Sequence, residues 1–280
     1  MSEEKKQCDS TSCDKESCKG CSHAKGGGIP KEQLNPHSHI KKVIGVISGK
    51  GGVGKSFVTA SLANEMAFQG YRVGIMDADI TGPSIPRMYG LKGAAVADDN
   101  GIYPMETGNS IKVMSVNLLL PQEDAPVIWR GPILANMVKQ FWTDVVWGEL
   151  DYLFVDMPPG TGDVPLTVFQ SLPIDGIVIV SSPQDLVQMI VKKAYNMAKM
   201  MNVPVLGLVE NYSYVKCPDC GKEIYIFGES KVEAAAKEVQ VPVIGKMPLD
   251  ADMAKAVDQG SFAGILNTYL GGAGKYLPQV

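Results

Sequence analysis

Gly49-Lys50-Gly51-Gly52-Val53-Gly54-Lys55-Ser56 is the stretch on which the fold turns. The spacing G-x-x-x-x-G-K-S lets a glycine-rich backbone approach phosphate oxygens closely. Lys55 is placed to reach the β- and γ-phosphates and the Ser56 hydroxyl to ligate Mg²⁺. The flanks suit this reading. Lys42 to Ile47 is an apolar run that predicts a buried strand, and Phe57 to Gln69 predicts a helix whose N-terminus attracts anions. A structural turn would not require lysine and serine at those offsets.

Two further acidic motifs follow, each at the end of an apolar run, where an open parallel sheet gathers its ligand chemistry. Tyr71 to Met76 delivers Asp77-Ala78-Asp79-Ile80-Thr81-Gly82-Pro83-Ser84. Asp79 is the candidate for orienting the attacking water, and Asp77 for supporting the loop. Asp151 to Val155 delivers Asp156, a carboxylate in position to hold Mg²⁺ directly or through water, followed by the rigid turn Met157 to Asp163.

Lys50 resembles the signature lysine of the deviant P-loop ATPases. With the Gly-Pro-Ser ending at Ser84, the Pro-Pro-Gly-Thr-Gly core from Pro158, and Glu210-Asn211 followed by Cys217-Pro218-Asp219-Cys220, residues 40 to 265 resemble the Mrp-type iron–sulfur cluster carrier ATPases. The resemblance implies ATP, a homodimer in which Lys50 reaches the partner's phosphates, Asn211 near the adenine, and Cys217 and Cys220 as ligands of a shared 4Fe-4S cluster passed to apo-proteins. Tyr212 departs from the family, which usually has methionine there.

Two thiolates on one turn are half of a tetrahedral sulfur site, and a two-fold dimer supplies the other half. The spacing alone also suits a zinc site or a redox dithiol. Cys8, Cys13, Cys18 and Cys21 lie in a polar segment with almost no large apolar residue, which forms either a second metal centre or a flexible arm.

The chain has 280 residues, 45% hydrophobic and 20% charged, with a net charge of −4. These values suit a packed α/β domain, offer no electrostatic footprint for nucleic acid, and include no apolar run long enough for a membrane span. C-x-x-C chemistry and the lack of a leader predict a cytoplasmic protein. The domain expectation is a cysteine-rich tail and linker over 1–39, a doubly wound, mostly parallel sheet of about seven strands over 40–270 with a cysteine arm near 211–228, and a flexible end at 271–280. Strands are expected near 43–48, 72–77, 111–116, 151–156, 176–181, 204–209 and 242–246, with helices at Asp185 to Met201 and Gly131 to Trp147. The tryptophans of the latter belong to the core, a dimer face or a client-docking surface. Two other functions remain open: a positioning or partitioning ATPase without a cluster, disfavoured by the glycine-rich Gly271 to Val280, and an ATP-gated electron donor, disfavoured by the two-residue gap between the cysteines.

Overall fold

The computed structural model describes residues 31–80, 82–120, 131–160, 162–183 and 187–280, except the side chains of residues 131, 132, 163 and 187. Eight strands form the main sheet: β1 His39–Ser48, β2 Val73–Asp77, β3 Met105–Glu106, β4 Lys112–Met114, β5 Glu149–Asp156, β6 Gly176–Ser181, β7 Val205–Glu210 and β8 Val243–Lys246. Their order is β8-β7-β6-β1-β5-β2-β4-β3. Every pairing is parallel except β3 with β4, an antiparallel edge of two residues too short for a sequence pattern to announce.

Strands buried on both faces read as continuous apolar runs, and β2 and β6 are buried at every position. Alternation within a strand then divides the core in two. Val43, Ile47, Leu153, Val155, Ile177 and Ile179 face one layer, which includes residues of helices α3 Gly131–Thr143, α4 Asp163–Ser171, α5 Val187–Met200 and α6 Val232–Glu238. Ile44, Val46, Tyr152, Phe154, Val178 and Val180 face the other, built from α1 Lys55–Phe68, α2 Ile85–Met88, α7 Ala251–Asp258 and the C-terminal segment. Removing a side chain as enclosed as Phe154 would cost ~3–5 kcal/mol. The connection from β5 through α4 to β6 passes over β1, and the phosphate loop leaves the carboxyl end of β1 at this crossing.

Three expectations change. The helix expected from Gly131 to Trp147 ends at Thr143. Beyond it, Val145 bridges to Ile102, and Trp147 lies fully buried with its indole N–H donating to the Phe141 carbonyl at 2.9 Å. Trp142 is also buried and donates to the Glu32 carbonyl at 3.0 Å, so both tryptophans are core and neither presents a docking surface. Second, the compact unit begins at Lys31 instead of residue 40. The Glu32 N–H donates to the Ser171 carbonyl, and Asn35 is buried, its amide donating to the Asn100 carbonyl. Third, 271–280 is packed, not loose. Ala273 and Leu277 are buried, and the Tyr152 hydroxyl donates to the Pro278 carbonyl at 2.9 Å. A buried phenol needs an acceptor, and the chain end supplies it.

Candidate functional site

The loop between β1 and α1 bends where only glycine fits. Gly54 adopts φ +75°, and a Cβ there would stand 2.2 Å from Asn211 Nδ2. Gly49 packs on α5 so tightly that a Cβ would meet Ile190 Cγ2 at 2.1 Å. No carboxylate occupies the first turn of α1, which leaves its N-terminal dipole for an external anion. The loop walls a cavity of about 440 Å³, shared with Asp79, Pro159, Tyr212, Pro248 and Leu249. That size lies in the range of small-ligand sites.

Asp156, at the carboxyl end of β5, collects the loop's polar groups. Lys55 Nζ lies 2.7 Å from its Oδ1, Thr59 Oγ1 donates to the same oxygen at 2.8 Å, and Ser56 Oγ donates to Oδ2. Asp79 Oδ2 is 3.5 Å from Lys55 Nζ. Burial opposes the Lys55 charge, but Asp156 and then Asp79 outweigh it and hold the ammonium above its ordinary value. Asp77 is fully buried. Burial, and then the Asp156 carboxylate, push its carboxyl well above the usual carboxylate range. Its oxygens accept from Ser115 Oγ and from the Asp79 N–H, so it braces the loop that carries Asp79. A hydroxyl and a carboxylate in direct contact beside a phosphate loop are hard oxygen donors, a set suited to Mg²⁺ completed by water and phosphate.

Lys50 sits half-buried on the loop, and its carbonyl accepts from Ser48 Oγ at 2.9 Å. Gly49, Gly51, Gly52 and Val53 form the rest of the turn, with Gly52 at φ +78°. Thr59 and Ser115 were not singled out in the sequence. Thr59 had a signal, since it lies one helical turn after Ser56 and shares its face. Ser115 had none, because only the sheet brings it beside Asp77.

Asn211, directly after β7, is fully buried behind the loop. Its Nδ2 donates to the Val53 carbonyl at 3.0 Å and its Oδ1 accepts from the Tyr212 N–H at 3.0 Å. Tyr212, not Asn211, stands on the cavity wall. Five residues after Tyr212 comes the cysteine turn, held by a hairpin of Val215–Lys216 with Glu223–Ile224. Beyond the hairpin, Tyr225 to Gly228 is a turn closed by the Gly228 N–H on the Tyr225 carbonyl. Within the cysteine turn the Cys217 N–H donates to the Lys222 carbonyl and the Gly221 N–H to the Cys217 carbonyl, both at 2.9 Å. Cys217 is half-buried and Cys220 exposed. The backbone N–H groups of Cys220 and Asp219 face the Cys217 sulfur and lower its pKa, which favours thiolate. Among the described residues no group of three or more His, Cys, Asp or Glu is placed to hold a metal ion, so the hairpin offers two ligands and no more. Cys8, Cys13, Cys18 and Cys21 lie outside the described residues.

The hairpin and the cavity share a wall. Val215 bridges to Leu249, the Leu249 N–H donates to the Tyr214 carbonyl, and Leu249 lines the cavity. The phosphate loop is thus bonded, through Asn211, to the segment that runs from the end of β7 into the two-cysteine turn. The family model described as "ParA: NUBPL iron-transfer P-loop NTPase" matches residues 39–269. The chain belongs to this family. Relatives of this iron-transfer P-loop NTPase include the iron-sulfur cluster carrier protein of Clostridium perfringens, 49% identical over 86% of each chain. That of Saccharolobus solfataricus is 51% identical over 79% of this chain and 76% of its own. Among solved structures, a nucleotide-binding protein of Archaeoglobus fulgidus in complex with ADP is 47% identical, with a TM-score of 0.73 over 80% of this chain and 88% of that one. The septum site-determining protein MinD of Pyrococcus horikoshii, complexed with Mg-ADP, has a TM-score of 0.55 over 84% of this chain and 93% of its own. At 20% identity it shares the fold alone. No helix among the described residues is long and apolar enough to cross a membrane.

Proposed function

We propose that this chain is an ATP-hydrolysing carrier whose cargo is an iron–sulfur cluster, held between two copies and handed to apo-proteins. The observation that carries the reading is the short path from loop to cysteines: Asn211 is bonded to Val53, and Cys217 lies six positions further along the same segment. In this reading Lys55 neutralises charge on the β- and γ-phosphates, and Lys50 extends to the nucleotide of the second copy. Asp79, fixed by Asp77 from below, orients the water that attacks the γ-phosphorus as the bond to the β-phosphate oxygen breaks. Ser56 and Asp156 would hold Mg²⁺, which supplies charge neutralisation across the β- and γ-phosphates. Turnover is slow, as suits a switch.

The cargo is 4Fe-4S, because two Cys217 and two Cys220 thiolates make the set of four that such a cluster takes. Ile224, Tyr225, Ile226 and Phe227 are each 45% to 59% exposed, a run of apolar side chains beside the cysteines that a second protomer would cover. Thiolates that keep such a cargo labile suit the reducing cytoplasm. Anaerobic reconstitution followed by native mass spectrometry and iron, sulfide and zinc analysis tests the proposal. Wild type should give a dimer, and Cys217→Ser and Cys220→Ser should each lose the iron and sulfide of one cluster per dimer. Full iron and sulfide on a Cys217→Ser, Cys220→Ser double variant would defeat it, as would zinc alone.

A further inference from the structure

A second cavity, of about 330 Å³, opens between α4 and the C-terminal half of α5, in the layer opposite α1. It is lined by Leu166 of α4 and by Lys193, Asn196, Met197, Met200 and Met201 at the end of α5. These positions on α5 recur at three- and four-residue spacing, so one face of the helix presents them together. Met197 is buried, whereas Met200 is 81% exposed. Lys192 beside them pairs with Glu238 at 2.7 Å, but the exposed Lys193 and Lys199 have no carboxylate partner among the described residues. Both walls of the groove lead back to the phosphate loop. α4 is the first helix after Asp156 and follows a turn whose Gly160 N–H donates to the Ser48 carbonyl at 2.8 Å. α5 carries Ile190, on which Gly49 is seated, about two helical turns before Met197 and on the same side.

We infer that this groove docks the protein that receives the cargo, and that it takes an apolar segment flanked by carboxylates. This rests on the carrier reading given above. Unbranched thioether side chains re-pack around partners of different shape, as a carrier that serves several acceptors requires. Lysines without a carboxylate beside an apolar groove favour an acidic occupant and reject a basic one. A second copy fits worse, because a two-fold contact here would bring the lysine rims of both copies together. The exposed run Ile224 to Phe227 offers a second copy an uncharged face instead.

Met200, Lys193 and Lys199 all face solvent, so replacing them leaves the core untouched. The test measures initial rates of cluster transfer from the loaded full-length protein to an apo-ferredoxin of acidic net charge, against acceptor concentration. It compares wild type, Met200→Glu, a Lys193→Glu, Lys199→Glu double variant, and Lys92→Glu, the same charge reversal on an exposed lysine after α2. Both groove variants should take up iron as wild type does and reach its maximal rate, but half-saturate at ~10-fold higher acceptor concentration, while Lys92→Glu matches wild type. Added salt should raise the half-saturating concentration of wild type more than that of the double variant. Unchanged half-saturation in both groove variants, or a lower maximal rate at unchanged half-saturation, overturns the inference and leaves the carrier reading standing. Loss of the dimer from these variants in native mass spectrometry also overturns it, since the groove would then belong to a second copy. Wild type that passes no cluster to the acceptor overturns the carrier reading and this inference with it.

Discussion

Asn211 donates from its buried side-chain amide to the carbonyl of Val53, tying the strand end that leads to the cysteine hairpin to the middle of the phosphate loop at 3.0 Å. The bond gives a change in the loop a direct route to this segment. Asn211→Ala removes the tie and leaves the Val53 carbonyl unpaired, a loss of ~1–3 kcal/mol. The expected outcome is partial uncoupling: the variant still takes up a cluster, but ATP no longer changes the rate at which cluster passes to an apo-ferredoxin acceptor. The check is acceptor absorbance followed with and without ATP, alongside phosphate release.

Gly54→Ala should be far worse than an ordinary surface change. The residue sits at φ +75°, and the new methyl would enter the space held by Asn211 Nδ2 at 2.2 Å. We expect nucleotide affinity to fall at least ~10-fold, with a lower melting temperature even without nucleotide. Titration calorimetry and thermal unfolding together read both effects.

The fold favours the thiolate of Cys217 before any metal arrives. N–H groups from Cys220 and Asp219 stabilise the Cys217 thiolate and lower its pKa below the ordinary 9.0. In metal-free protein, iodoacetamide should therefore modify Cys217 at lower pH than an unstructured peptide of the same sequence, read by peptide-resolved mass spectrometry. An identical pH profile for protein and peptide would contradict the geometry of the turn.

Much of this arrangement was legible in the sequence, for a physical reason. Parallel strands covered on both faces are continuous apolar runs, so all seven predicted strands exist, with their ends displaced by a few residues. The phosphate loop announces itself because its chemistry fixes glycine, lysine and serine at set spacings. Val145 and Trp147 misled because apolar residues at helical spacing also serve a bridge and a strand approach, and nothing local marks the end of the helix at Thr143. Thr59 was readable one turn after Ser56, but the left-handed bend at Tyr212 was not, since tyrosine carries no signal for positive φ. The packing of the chain end depends on Tyr152, 126 positions away from Pro278, a distance no local pattern spans.

Asp151 marks the end of the sheet remote from the loop and predicts an acid response. Arg72 donates to it from its backbone N–H and twice from its guanidinium at 2.9 to 3.1 Å, and Lys41 lies at 2.8 Å. The Arg72 guanidinium first, and Lys41 with it, hold the carboxyl well below its ordinary 3.8. A depressed folded-state pKa gives stability that is present above the unfolded value and is lost as pH falls below it. Urea midpoints of wild type should thus fall between about pH 4 and pH 2 more steeply than those of Asp151→Asn, which should already be ~1–3 kcal/mol less stable at neutral pH. Parallel curves would contradict this account of the pair.

The most direct test of the whole is the rate at which anaerobically loaded protein surrenders its cluster to an apo-protein, measured on wild type and Lys55→Ala, each with and without Mg-ATP. If the phosphate loop governs the thiol-bound cargo, ATP alters the wild-type rate several-fold or more and leaves Lys55→Ala where it was. Rates indifferent to ATP in wild type, or equally responsive in both proteins, would show that the two chemistries sit in one chain without governing each other.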